Sequence, residues 1–182
     1  MLINDDLPGV EENYSQACTS SNLRVEADKR SPADVLIASG MSNSRIGGAL
    51  MRLRAEYGSD SVPRRNASAT DHRLMMGRLK TLPAVLAEVT SQVHSWGIDR
   101  SEAVALAVVS HWLDNTCRFC EGRGKERIKD TPALSAINCK HCKGTGKIDL
   151  THGSAGRRME GYISDCVTDW ATRTKKLLRD RS

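Results

Sequence analysis

Apolar side chains recur at helical spacing through most of the chain, and no run longer than four residues has the two-residue period of a strand. The clearest stripe has spacings of four, three, four and three residues: Leu82, Leu86, Val89, Val93 and Trp96. Such spacing places side chains on one face of a helix, and Gly97 is a favourable residue just after its end. The pattern therefore predicts a mostly α fold.

Further helix signals lie on the N-terminal side of this stripe. Ser31-Pro32 predicts a helix start, because proline is favoured at the first helical position, and an apolar segment follows. Residues 42–57 have a second apolar face at helical spacing. The Gly47-Gly48 pair inside it either weakens the helix or allows another segment to approach closely.

Two more helices are predicted on the C-terminal side. Residues 99–102 resemble a capping box in front of residues 103–115, a segment that is apolar nearly all round and is expected to be the most buried helix. Residues 154–181 carry a long apolar stripe. They predict a long C-terminal helix.

These signals divide the chain into four parts. Residues 1–30 are polar and acidic without an apolar period, so we expect a flexible tail. Residues 31–116 predict a compact helical body. Residues 117–147 predict a small, largely non-helical insert, and residues 148–182 a C-terminal helix that packs on the body.

Composition narrows the class of protein. Hydrophobic residues make up 39% of the chain and aromatic residues 4%, which predicts a modest aliphatic core. No stretch of eighteen apolar residues is present, so a membrane span is not expected. The acidic first residues lack the pattern of a signal peptide. We therefore expect a cytoplasmic protein with no membrane partner and with reduced thiols.

The insert contains the phrase Cys-x-x-Cys-x-Gly-x-Gly twice, at residues 117–124 and 139–146. The two cysteine pairs are 18 residues apart, within the range of a four-cysteine zinc site. Each tight turn supplies half of a tetrahedron of thiolates, and the glycines permit positive φ angles and backbone amides near sulfur. We predict one structural zinc ion per chain, held by Cys117, Cys120, Cys139 and Cys142.

Other roles for these cysteines are less favoured. A reducing compartment disfavours a disulfide, and the absence of a βαβ pattern disfavours a redox Cys-x-x-Cys. His141 is expected to point outward from its turn, and His111 to be a hydrogen-bonded residue of the buried helix. A zinc deaminase signature is absent because Asn138 precedes Cys139. Four thiolates leave no open coordination position, and we predict that the protein is not an enzyme.

Charge is distributed unevenly along the chain. Residues 117–182 contain 15 Lys and Arg against 8 Asp and Glu, a net charge of +7, whereas residues 1–116 contain 12 against 14, a net charge of −2. A basic C-terminal part suits a polyanion partner, although a solvated basic surface fits the charge equally well. We expect nine residues in this part to contact DNA phosphates: Arg123, Lys125, Arg127, Lys129, Lys140, Lys143, Lys147, Arg157 and Arg158.

The repeated cysteine phrase is similar to the repeat of DnaJ-type co-chaperones, which use four copies to hold two ions. Two copies are present here, and the His-Pro-Asp tripeptide with which that family engages its chaperone partner is absent. This resemblance implies a DnaJ-like zinc module.

A longer resemblance combines DVLIASGMSNSRIG at residues 34–47 with the cysteine repeat at residues 117–146. In this combination the chain resembles the antitermination proteins Q of lambda-type phages, over about residues 31–180. The resemblance implies a phage- or prophage-encoded transcription factor of the bacterial cytoplasm. Such a protein binds double-stranded DNA beside a late promoter, joins the paused RNA polymerase holoenzyme and permits readthrough of terminators.

Two alternative functions stay open. One is a zinc-finger DNA-binding regulator that does not load onto polymerase. The other is a DnaJ-like zinc adaptor that binds polypeptide, which needs exposed apolar surface. The insert is mostly charged and is not expected to offer such a surface.

Overall fold

The computed structural model describes residues 9–24, 31–59, 69–128, 131 and 133–180, without the side chains of residues 59, 69–73 and 180. These residues form helices and one small sheet: α1 (Val10–Thr19), α2 (Pro32–Met41), α3 (Gly47–Ser59), α4 (Ala69–Arg78), α5 (Leu82–Ser95), α6 (Ser101–Leu113), β1 (Lys125–Arg127), β2 (Leu134–Asn138) and α7 (Gly153–Asp180). The predicted fold class is confirmed: the chain is mostly helical, the four cysteines lie in a non-helical segment, and a long C-terminal helix follows.

The chain forms two compact units. The first contains Met1–Asp60, Leu79–Val85 and Gly161–Ser182, and the second contains Ser61–Arg78 and Leu86–Glu160. Helices α1, α2 and α3 thus belong to the first unit, whereas α4, α6, the sheet and the four cysteines belong to the second. Among the described helices, none has both the length and the apolar character that crossing a bilayer requires.

Trp170 of α7 lies at the centre of the first unit and is fully buried. Its indole Nε1 donates a hydrogen bond to Ser39 Oγ of α2 at 3.1 Å. Its ring meets Tyr14 of α1 edge to face, with the ring centroids 5.3 Å apart. Gly47 at the start of α3 lies so close that an added Cβ would be 2.6 Å from the Trp170 Cβ. Residues of three helices therefore lie against this one side chain of α7.

Helix α1 contradicts the prediction of a flexible tail over residues 1–30. Tyr14 and Ala17 are buried, and α1 is an ordered helix from Val10 to Thr19. Two buried positions in a polar segment give a weak periodic signal, so packing on the rest of the unit stabilises this helix rather than its own pattern. The prediction is wrong for α1, and residues 1–8 and 25–30 lie outside the described part.

The two predicted capping signals had different outcomes. At the start of α2 the Ser31 hydroxyl accepts a hydrogen bond from the Asp34 N–H at 3.3 Å, and the Asp34 carboxylate accepts one from the Ser31 N–H at 3.0 Å. This capping box confirms the predicted helix start. The box predicted at residues 99–102 is wrong, because Arg100 is the N-cap of α6, with a φ of 54° and no side-chain cap.

Helix faces were predicted well in outline and less well in detail. On α5 the buried face contains Val85 and not Leu86, which is only half-buried. Helix α6 was expected to be the most buried helix because it is apolar nearly all round, but Leu106 is 49% exposed. Its buried side consists of four small residues: Val104, Ala105, Val108 and Val109. The prediction made from the apolar composition of α6 therefore overestimated its burial.

Candidate metal centre

The cysteine module is defined as residues 115–148, and its first and last residues lie next to each other. The Ile148 N–H donates to the Asn115 carbonyl at 2.8 Å. Next to this bond, Thr116 and Lys147 form an antiparallel bridge. Strands β1 and β2 pair antiparallel farther along the module. The segments that lead in and out therefore run side by side.

The two cysteine phrases make the same hydrogen bonds, as two copies of one turn. The Gly124 N–H donates to Cys120 Sγ at 3.3 Å, and the Gly146 N–H donates to Cys142 Sγ at 3.2 Å. Hydrogen bonds to sulfur stabilise a thiolate and orient it. The second cysteine of each copy therefore accepts an equivalent backbone hydrogen bond.

The copies also bind each other reciprocally. The Cys117 N–H donates to the Gly146 carbonyl, and the Cys139 N–H donates to the Gly124 carbonyl, both at 2.8 Å. The bridge between Thr116 and Lys147 has its counterpart in the pairing of Asn138 with Lys125. Each residue of the first copy therefore corresponds to the one 22 positions later.

The four glycines of the repeat serve both geometry and packing. Their φ angles are all positive, between +73° and +93°, as the sequence predicted. A Cβ on Gly124 would overlap the Gly144 carbonyl oxygen, and a Cβ on Gly146 would overlap the Gly122 carbonyl oxygen. The two copies can pair this closely only because side chains are missing at these positions.

This pairing brings the four predicted ligands together. The sulfur atoms of Cys117, Cys120, Cys139 and Cys142 all lie within 4.8 Å of one another, and the residues are buried. Cys120 Sγ and Cys142 Sγ are 3.6 Å apart. A tetrahedral site with metal–sulfur bonds of about 2.3 Å separates its sulfurs by about 3.8 Å. All four cysteines are free thiols, and the cluster could hold a metal ion.

The thiols are not equivalent as acids. Burial raises the pKa of Cys120 to about 11; the hydrogen bond from the Gly124 N–H opposes this shift, and contacts with the other thiols add to it. Burial alone would also raise the pKa of Cys142, but hydrogen bonds from the Gly146 N–H, the Cys120 thiol and the Gly144 N–H outweigh it. They lower the pKa of Cys142 to about 6. Cys142 is therefore the thiolate best prepared to bind a cation at neutral pH.

Three of the predicted DNA contacts have partners inside the module. Glu121 lies 2.9 Å from Arg123 and 3.7 Å from Arg127. Lys125 Nζ donates to Asn138 Oδ1 at 2.7 Å. These cations therefore already have partners within the module.

The other predicted contacts differ in their surroundings. Lys140 lies 3.8 Å from Glu126 but keeps 83% of its side chain exposed. The Arg158 guanidinium lies over the Trp96 ring, 4.1 Å from its centroid. Among the described residues, three predicted contacts are exposed and form no ion pair: Lys143, Lys147 and Arg157. Lys129 lies outside the described residues.

Arg118 was not predicted as a contact, although it is exposed and forms no ion pair with a described residue. It stands between the first two cysteines, where Lys140 stands in the second copy. Aligning the two copies would have revealed it. His141 is exposed as predicted. His111 is hydrogen-bonded as predicted, with Nε2 donating to the Ile148 carbonyl at 3.0 Å.

The module exposes apolar side chains, which contradicts the expectation that it would offer no apolar surface. Phe119 is 68% exposed and Ile137 is 59% exposed. Ile128, Leu134 and Ile148 are between 42% and 46% exposed. Leu134 and Ile137 lie on β2, and among the described residues no second layer covers this short two-stranded sheet.

Comparison with known proteins gave no match to a family model, to a curated protein or to a solved structure. The resemblance to the antitermination proteins therefore stays a prediction from residues 34–47 and 117–146.

Proposed function

We propose that the cysteine module binds one zinc ion and that this ion is structural. Four buried sulfurs with hydrogen bonds from backbone amides form a soft, closed donor set, which suits zinc and leaves no position for a substrate. The ion would link the two copies, in addition to their backbone hydrogen bonds, glycine contacts and side-chain contacts.

Native mass spectrometry with elemental analysis tests the zinc site. We expect one zinc ion per chain in the wild type. The variants Cys139→Ser and Cys142→Ser should lose it, whereas Cys166→Ser, a buried cysteine outside the cluster, should keep it. A chain without metal, with iron instead of zinc, or with two ions would contradict the proposal.

We further propose that the protein is a transcription antitermination factor that binds DNA near a phage late promoter and loads onto paused RNA polymerase. This proposal rests on the basic module that the two paired cysteine phrases form. The resemblance to the antitermination proteins implies such a module at residues 117–146. Residues 117–147 contain eight Lys and Arg against three Asp and Glu, a net charge of +5. Four thiolates with one divalent ion add a charge of about −2, so the module remains cationic.

The ion pairs of the module indicate which cations are available to phosphates. Arg123 and Arg127 share Glu121, and moving them to DNA would break these pairs. Arg118, Lys143 and Lys147 have no acidic partner among the described residues. We therefore propose that these three make the main phosphate contacts, with Lys140 and Arg157 beside them.

A transcription assay tests the function. A template carries a late promoter from the same phage region, a terminator and a run-off end, and wild-type protein should increase readthrough. Competitor DNA added after the complex has left the promoter should not abolish readthrough if the protein stays on polymerase. The variant Cys139→Ser should be inactive. Readthrough that never occurs, or that competitor abolishes, would leave a DNA-binding regulator without polymerase loading.

The exposed apolar residues of the module favour one second candidate, a zinc adaptor that binds polypeptide. Phe119 and Ile137 would supply contact area for an unfolded chain. In this case the protein should suppress aggregation of a chemically denatured test protein, and Ile137→Ser should weaken the effect. A lack of suppression at several-fold molar excess would exclude this candidate.

A further inference from the structure

The tips of the two cysteine turns carry a stacked aromatic pair. Phe119 and His141 are the third residues of their Cys-x-x-Cys phrases, so they are equivalent positions of the two copies. Their rings are parallel within 6° and their centroids are 3.3 Å apart. This spacing is close to the rise of about 3.4 Å between stacked bases in a nucleic-acid strand.

The pair is exposed although it is aromatic. Phe119 is 68% exposed, and His141 is exposed as well. One face of the Phe119 ring is covered by His141, so the solvent reaches its other face and its edges. An aromatic ring with a free face, held on a short turn, is a surface on which another flat ring can stack.

Cations lie next to this pair in the sequence and indicate the charge of its ligand. Arg118 precedes Phe119, and Lys140 precedes His141, and both side chains are exposed. Lys143 follows the second turn and is also exposed. A flat apolar ring among exposed cations is complementary to a base attached to a phosphate backbone. A neutral apolar peptide would gain nothing from these charges.

Paired bases cannot use this surface, because their faces are covered by neighbouring bases in the duplex. Unpaired bases have free faces, and stacking on an aromatic ring tolerates any base. We propose that Phe119 and His141 form a base-stacking platform that binds single-stranded nucleic acid, with Arg118 and Lys140 contacting its phosphates. This inference goes beyond the proposed binding of double-stranded DNA and does not depend on it.

Fluorescence anisotropy with the zinc-loaded full chain tests the platform. The probes are labelled oligothymidylate, oligouridylate and an abasic strand of equal length, each of about 12 nucleotides, and a duplex of the same length. We expect Phe119→Ala to weaken binding of both oligonucleotides by roughly 5- to 150-fold, the range for loss of one stacking ring. Binding of the duplex and of the abasic strand should change less than about twofold.

Two further variants separate stacking from general apolar contact. Phe119→Trp should preserve or strengthen binding, whereas Phe119→Leu, which keeps apolar bulk without a ring, should behave like Phe119→Ala. Ile137→Ala removes an exposed apolar side chain elsewhere in the module and should leave binding unchanged. Each variant must retain one metal ion per chain, which shows that the turns are intact.

Several results would overturn the inference. Equal binding of the abasic strand and oligothymidylate would show that only phosphates are recognised. Full affinity in Phe119→Leu would show that a ring is not needed, and an equal loss for the duplex would assign Phe119 to the double-stranded interface. A transcription assay without readthrough, combined with the expected oligonucleotide results, would contradict the antitermination proposal and leave the platform standing.

Discussion

Gly47 lies directly against the backbone of Cys166. A Cβ on Gly47 would overlap the Cys166 carbonyl oxygen and lie 2.6 Å from the Trp170 Cβ. The sequence left open whether the Gly47-Gly48 pair weakens a helix or permits close packing, and the structure shows close packing. Neither the backbone oxygen nor the Trp170 Cβ can move aside independently.

We therefore expect Gly47→Ala to lower the free energy of unfolding by about 1–3 kcal/mol, the usual cost of overpacking. Gly48→Ala is the matched control, because its nearest neighbours would lie at 3.7 Å, an ordinary contact distance. It should be neutral or should stabilise the protein by up to about 1 kcal/mol. Urea unfolding followed by circular dichroism measures both, and equal effects would contradict the packing contact.

A second prediction concerns Thr174 on α7. Its side chain is fully buried, and its Oγ1 forms no hydrogen bond with any described residue. Thr174→Val keeps the shape and removes the unsatisfied hydroxyl, so we expect the free energy of unfolding to rise by about 1 kcal/mol. Thr172→Val is the control, because Thr172 is exposed and donates to the Thr168 carbonyl at 2.8 Å. A loss of stability in Thr174→Val would reveal a partner for the hydroxyl.

Removal of the metal should affect the two units differently. Cys139→Ser, or treatment of the wild type with a chelator, should unfold the module, because a structural zinc site contributes its binding energy to folding. The contacts of Trp170 with Tyr14 and Ser39 involve no module residue and should persist. Circular dichroism should show most of the helical signal retained. Loss of the whole signal would show that folding of the first unit depends on the metal.

Metal binding should release a number of protons that depends on pH. The pKa of Cys142 is lowered to about 6, so this thiol is mostly ionised at pH 7 and mostly protonated at pH 5. Bound thiols are ionised at both, so binding should displace about 0.8 more protons at pH 5 than at pH 7, and acid should weaken affinity more steeply below pH 6. Calorimetry in buffers of different ionisation enthalpy counts these protons. A constant count would contradict the low pKa.

The salt dependence of DNA binding distinguishes the two sets of cations. Replacing Arg118, Lys143 and Lys147 by Ala should reduce the slope of log affinity against log salt by about three, since each phosphate contact contributes about 0.9. The control is the triple Ala variant of Arg123, Lys125 and Arg127, which already have partners. It should change the slope by less than about one. The reverse order would assign the DNA contacts to the control set.

The ligands of the candidate metal centre could be predicted because they depend on local spacing. The turn of each Cys-x-x-Cys phrase and the positive φ of its glycines follow from a few neighbouring residues. The stacking of Phe119 on His141 could not be predicted in this way, because it depends on how the two copies pair.

Helix α1 shows a second limit of the sequence. Tyr14 is a single large apolar residue among polar neighbours, and its contribution depends on Trp170, more than 150 residues away in the chain. No periodic signal in residues 1–30 contains that information. Burial of α6 was overestimated for the opposite reason, because Leu106 is apolar but no described residue covers its exposed half.

The hydrogen bond between Ile148 and Asn115 affects how the chain can accommodate changes in the length of the module. Because the two ends of the module meet, shortening or lengthening the chain between them would change the spacing of residues 115 and 148 little. Lengthening the segment that joins β1 to β2 would also leave the cysteine turns in place. The length of the module is therefore not fixed by the positions of the residues on either side of it.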